Sequence, residues 1–292
     1  MCDEHSLDDM IAYELRSKAL SRRQFAALGV GAGVWSLLPP VANAAAVSEA
    51  DVAIKTPDGV ADAYFVHPSQ GAHAAVLIWP DIFGLRPAFR QMGKRLAESG
   101  YAVLVVNPFY RKQKAPTSER GADFSDPDTR TALMALAGAL TPATAKIDAD
   151  AFVAWLDQQE AVDTNRKIGT AGYCMGGPLV MRTAAVQAER IGAGASFHGG
   201  GLATDKTDSP HLLIPDMMAQ FLIAIAANDD ERDPKAKDTL RAAFAAAELP
   251  AEIEVYAGTL HGWCPPDAKV YDAAQAEKAW ERMLALFAKA LA

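Results

Sequence analysis

Residues 167–177 read KIGTAGYCMGG, and few backbones accept that string. An apolar, strand-like stretch, 168–171, runs directly into Gly172-Tyr173-Cys174-Met175-Gly176-Gly177, and then into 178–181, which can start a helix. A sharp strand-to-helix turn needs glycines two residues before and after its apex, because side chains there would collide with neighbouring backbone. A cysteine at that apex stands exposed above a sheet, with the N–H of Met175 at a helix N-terminus available to an oxyanion. The same residues also suit a glycine-rich turn around an ordinary buried cysteine, so the rest of the chain has to supply the partners of a nucleophile.

Strand-like and helical stretches alternate on both sides of the turn. Residues 51–68 alternate around Thr56-Pro57-Asp58-Gly59 and predict an antiparallel hairpin at a sheet edge. Residues 74–79 and 101–106 are unbroken apolar runs, as in strands covered on both faces of a parallel sheet. Between them lie the loop 80–84 and a helix over 87–99. Residues 107–144 mix basic, acidic and helical segments, with helical character over 129–140; excursions at strand ends build the pocket walls of α/β enzymes. A helix over 149–159 leads back to the strand before Cys174, and strands at 193–197, 221–227 and 253–256 and a closing helix at 273–291 follow. Asp233-Pro234 reads as the N-cap and first residue of an alanine-rich helix reaching Glu248. The expectation is one α/β domain over residues 45–292, with a mostly parallel central sheet flanked by helices.

Residues 1–44 stand apart. Ser21-Arg22-Arg23-Gln24-Phe25 is a twin-arginine pattern, followed by the modestly apolar 26–38 and by Ala42-Asn43-Ala44, which suits a small-residue cleavage site. This predicts a Tat-type signal peptide, handled by the Tat export machinery and cut after Ala44 to leave a periplasmic or secreted protein. The apolar run is shorter than the roughly 20 residues of a membrane span, so no stable span is expected after cleavage. A formal charge of −8 without a long basic run argues against nucleic acid as a partner. The three cysteines, Cys2, Cys174 and Cys264, make no disulfide framework.

Chemistry-bearing residues fall at strand ends. After Cys174 come Asp229 and Asp230 beyond the 221–227 strand, and His261 beyond the last one. Nucleophile, acid, histidine in that chain order is the arrangement of an α/β-hydrolase triad. A thiol is a weak nucleophile until an imidazole takes its proton, and an aspartate fixes the imidazole tautomer. Asp229 is the expected orienter because it stands nearer the strand end, with Asp230 the competing choice. His198-Gly199-Gly200-Gly201 looks like a hydrolase oxyanion loop, but such a loop precedes the nucleophile whereas this one follows it. It reads instead as a tight turn bordering the pocket, with His198 in the wall or hydrogen-bonded.

With these residues in view, the chain resembles the dienelactone hydrolase (carboxymethylenebutenolidase) family over roughly 74–291. The resemblance is carried by PDIFG at 80–84, NPFYR at 107–111, GYCMGG at 172–177, AANDD at 226–230 and AGTLHGW at 257–263. It implies an α/β-hydrolase without metal or organic cofactor that opens a small lactone or ester through an acyl-cysteine, here expected to act as a monomer. Carried over residue by residue, it makes Cys174 the nucleophile, His261 the base and Asp229 the orienter, with the N–H groups of Ile82 and Met175 as oxyanion donors. Two positions depart from the family pattern. Asp81 stands where the family has a glutamate that keeps the resting cysteine protonated. Of two arginines that grip a substrate carboxylate, Arg111 is present and the other position is Pro265. An acyltransferase or thioesterase on the same site, or a thiol redox or ligand-binding protein, are the alternatives. Cys264, three residues beyond His261, is a candidate for a reversible disulfide with Cys174.

Overall fold

A computed structural model describes residues 38–119 and 121–292. The twin-arginine motif, Cys2 and most of the expected signal peptide lie outside the described residues. Eight strands form one sheet in the order β1-β2-β4-β3-β5-β6-β7-β8. At one edge, β1 (Val47–Thr56) and β2 (Gly59–Pro68) form the antiparallel hairpin, with Thr56 opposite Gly59 across the turn. β2 pairs antiparallel with β4 (Ala102–Val106). From there β3 (Ala75–Trp79), β5 (Ile168–Tyr173), β6 (Ile191–Phe197), β7 (Gln220–Ala226) and β8 (Ala251–Tyr256) all run parallel. β3, β4 and β5 are buried along their whole length, which is why the first two read as unbroken apolar runs.

The two-residue period of a strand divides the core. Ala75, Leu77 and Trp79 of β3 enter one apolar cluster, while Val76 and Ile78 enter the other. The first face is covered by α3 (Pro142–Leu156), α4 (Gly176–Val186) and α6 (Ala236–Ala246), and the second by α1 (Pro87–Glu98) and α7 (Ala273–Ala290). α2 (Pro127–Ala137) belongs to the excursion after β4, and the short α5 (Ala227–Arg232) follows β7 directly. Among the described residues no helix is long and apolar enough to cross a membrane.

The starts of α2 and α3 are set by capping chemistry rather than by apolar periodicity. Asp126 accepts from the Thr129 N–H with Pro127 at the first position, and Thr141 and Thr144 form a reciprocal capping box ahead of Pro142. α3 therefore begins at Pro142, before the apolar pattern at 149, with Ala145 of its first turn already in the core. One expectation is corrected. Asp233-Pro234 does not start the alanine-rich helix. The Asp233 N–H donates to the Asp229 carbonyl and closes α5, and α6 begins at Ala236 after Lys235. α5 forms at the strand end because Asp229 and Asp230 lie in its first turn, where carboxylates favour the positive end of the helix dipole.

Candidate active site

β5 and α4 meet at Cys174, whose φ of +52° lies in the left-handed region that non-glycine residues rarely occupy. The strain is held from both sides. The Cys174 N–H donates to the Phe197 carbonyl at 3.0 Å, and the Cys174 carbonyl accepts from the Gly177 N–H at 3.0 Å. The flanking glycines are demanded by contact. A Cβ at position 172 would stand 2.3 Å from the Gly176 carbonyl oxygen, and one at position 176 would stand 2.3 Å from that of Trp79. The turn is thus pressed onto the end of β3, and only backbone without side chains fits there.

His261 follows β8 and is tied to α5 at two points. Its ring Nδ1 lies 2.7 Å from Asp229 Oδ2, and its N–H donates to the Asn228 side-chain oxygen at 2.8 Å. A carboxylate only accepts, so Nδ1 carries the proton in this pair and Nε2 is the basic nitrogen. The other oxygen of Asp229 pairs with Arg232. Asp230 instead gives both oxygens to the Lys237 ammonium at 2.6 Å. Of the two candidate acids, the structure brings Asp229 to the histidine.

Cys174, His261, Ile82 and Met175 line one cavity of about 490 Å³ on the α3/α4/α6 side, with Met134, Leu140, Pro178 and Leu202 in its apolar wall. The excursion after β4 supplies Met134 and Leu140 of that wall. Gly199, Gly200 and Gly201 border the cavity, but His198 does not. His198 is buried behind His261, ring to ring at 5.1 Å, with Trp263 at 5.9 Å, and neither ring nitrogen has a hydrogen-bond partner among the described residues. Burial, and secondarily the nearby His261, hold its pKa well below the ordinary value, so it is neutral. It is neither the wall residue nor the hydrogen-bonded one that the sequence suggested.

Asp81 and Arg111 are committed elsewhere. Asp81 accepts from Arg86 at 2.6 and 2.9 Å and from the Phe83 N–H at 3.0 Å, and Arg86 also donates to Asp267. It does not line the cavity. Its carboxylate shapes the loop that carries Ile82. Arg111 grips Asp148 with two donors, at 2.7 and 2.8 Å, reaches Asp58 at 2.8 Å and stacks on Tyr110. The structure does not bring it to the cavity. Cys264 belongs to the core on the α1/α7 side, in a small void of about 20 Å³ with Tyr173, Phe197 and Trp280. Burial raises its thiol pKa well above the ordinary value, and neither Cys174 nor Cys264 is in a disulfide.

Sequence reasoning missed Asn228, Arg232 and Arg182. Asn228 acts through a contact with His261 made only when β7 and β8 lie side by side, whereas Arg232 meets Asp229 at i,i+3 spacing on α5. Arg182 was findable: Cys174, Met175, Pro178, Leu179 and Arg182 all line the cavity, and their spacing is one face of a helix.

A parallel sheet whose strand ends carry an elbow residue, an aspartate-held histidine and a shared cavity defines an α/β-hydrolase. The family model of the dienelactone hydrolases matches residues 61–291, and the chain belongs to that family; it is a carboxylic ester hydrolase. A carboxymethylenebutenolidase of Rhodococcus opacus is 26% identical over 232 residues, covering 78% of this chain and 86% of the relative. A structure from Klebsiella pneumoniae that carries the dienelactone hydrolase name superposes with a TM-score of 0.73 at 24% identity, over 84% of this chain and 99% of that one. A dienelactone hydrolase-like promiscuous phosphotriesterase from metagenomic libraries gives a TM-score of 0.70 at 20% identity, over 85% and 100%.

Proposed function

We propose that the protein is an exported hydrolase that opens a small lactone or ester with Cys174 as nucleophile. The observation that carries this reading is a cysteine held at φ +52° in the same cavity as a histidine whose Nδ1 is fixed by Asp229 at 2.7 Å. His261 Nε2 takes the Cys174 proton as sulfur attacks the carbonyl carbon, and Asp229 stabilises the imidazolium. The carbonyl oxygen becomes an oxyanion beside the N–H groups of Ile82 and Met175, which sit on the Asp81-braced loop and at the start of α4. Collapse breaks the ester C–O bond, and His261 returns its proton to the leaving oxygen. The acyl-cysteine is then attacked by water, which gives a proton to His261; the free acid departs and the thiol is reprotonated. In a lactone the leaving oxygen stays tethered, and one hydroxy acid is released.

Small esters and enol-lactones should be turned over by purified protein and not by Cys174→Ala, with an acyl adduct on Cys174 in rapidly quenched samples. Turnover surviving in Cys174→Ala would refute the assignment. Export is supported by the twin-arginine motif and by the position of β1, which starts at Val47, so that cleavage after Ala44 spares the sheet. Mass spectrometry of the N-terminus and cell fractionation test it; an unprocessed cytoplasmic chain would refute it.

A further inference from the structure

Four carboxylates and three cations line the cavity, and one of the cations has no carboxylate partner among the described residues. Three of its lining residues are cations: Arg182, Arg232 and Lys237. Arg232 pairs with Asp229, and Lys237 with both oxygens of Asp230. Arg182, on α4, donates at 2.7 Å to the main-chain carbonyl of Asp208, a neutral acceptor, and makes no ion pair with a carboxylate within 4.0 Å among the described residues. Asp208 and Asp233 also border the cavity, and the charge of Asp208 acts on Arg182 only from beyond ion-pair range. The contrast with Arg86 and Arg111 is direct. Carboxylates hold those two above the usual arginine pKa, whereas partial burial leaves Arg182 below it. A guanidinium has five donors in a fork that matches a carboxylate, and most of this fork is unspent.

The position of Arg182 sets a length. It stands six residues into α4, so its backbone lies roughly 9 Å along the axis from the helix start beside Cys174. Long helical side chains lean back toward the N-terminus, in this case toward the nucleophile. The helix face between them is apolar, with Pro178 and Leu179, and Met134, Ala137, Leu140 and Leu202 also line the cavity. A ligand bonded to Cys174 through its carbonyl would therefore run along hydrocarbon before it met the arginine.

Taking Cys174 as nucleophile, as in the reading above, we propose that Arg182 is the anion anchor of this cavity. Its substrates are esters or lactones whose acyl chain carries a carboxylate several carbons from the scissile carbonyl. This binding mode does not use Arg111, which Asp148 already occupies, and it places the charged end of the substrate along α4.

The test pairs two p-nitrophenyl esters of one length: the hemiadipate, with a free carboxylate, and the methyl adipate, with that carboxylate masked. In wild type the ratio of kcat/KM, anionic over neutral, should exceed one. In Arg182→Gln that ratio should fall roughly tenfold to a hundredfold, mainly through KM, and Arg182→Lys should recover part of it. Thermal melts confirm that each variant is folded. An unchanged ratio in folded Arg182→Gln overturns the proposal. Calorimetric titration of Cys174→Ala with adipate, with and without Arg182→Gln, reads the anchor independently of turnover. Loss of adipate binding in the double variant supports the anchor even if neither ester is cleaved, a result that would defeat the proposed reaction alone. Equal binding, or none in either protein, overturns the anchor itself.

Discussion

Substitution of Arg111 by alanine separates a substrate contact from a structural one. The Asp148 side chain has no solvent exposure, and its two oxygens accept from Arg111 at 2.7 and 2.8 Å and from the Tyr110 hydroxyl at 2.8 Å. Burial pushes the Asp148 carboxyl above its usual range, and hydrogen bonds from Arg111 and Tyr110 pull it back. Removing the guanidinium leaves a buried carboxylate with one neutral donor. Breaking such a pair from one side costs about 3–5 kcal/mol, a large part of a typical stability of 5–15 kcal/mol. With an m-value near 3 kcal/mol/M, the urea midpoint should drop by about 1–2 M. The loss should depend on pH. In the variant the folded pKa of Asp148 rises further above its unfolded value, so its contribution is present below the unfolded pKa and lost as pH climbs through the folded one. The gap to wild type should therefore widen as pH rises above the unfolded carboxylate value. Asp148→Asn in the Arg111→Ala background should recover more than half of the midpoint, because an amide carries no charge to strand. Urea melts of the three proteins at two pH values measure all of this. A midpoint within about 0.3 M of wild type, with KM raised only for carboxylate-bearing substrates, would refute the reasoning and return Arg111 to the substrate.

Cys174→Ser should keep the fold and lose at least about a hundredfold in kcat, since a hydroxyl is less readily deprotonated than a thiol; circular dichroism with initial rates checks it, and wild-type turnover would contradict it. Asp229→Asn should cost about 10²–10⁴-fold in kcat through the wrong imidazole tautomer, while Asp230→Asn, which loses its pair with Lys237, should cost far less; reversal of that order in parallel assays exchanges the two assignments. His198 is buried neutral, so its lowered folded pKa gives a stability that is complete above the unfolded value near 6.5 and falls as pH drops below it. His198→Phe keeps the ring and should flatten that part of the pH–stability curve, read from urea midpoints between pH 4.5 and 7.5; an unaltered slope would contradict a buried neutral imidazole.

What the sequence determined by itself is local. The strands β3 and β4 are short unbroken apolar runs bounded by turn residues, and a segment buried on both faces can hardly read otherwise. Gly172 and Gly176 announce the elbow because the steric demand there falls on a few consecutive residues. The spacing of Cys174, Asp229 and His261 along the chain was legible because each follows a strand, and parallel strands deliver their C-terminal ends to one edge. Tertiary structure decided the pairings. Arg86 takes Asp81, Asp148 takes Arg111, Lys237 takes Asp230, and Asp229 is left to His261. Charged side chains are long and their partners lie up to tens of residues away, so identity in sequence says what a group can bond, while only the packing of loops over the sheet says which bond it makes. Arg182 shows both sides of this: its place on the Cys174 face of α4 follows from helical spacing, but that no carboxylate among the described residues claims it emerges only when all the others have been assigned.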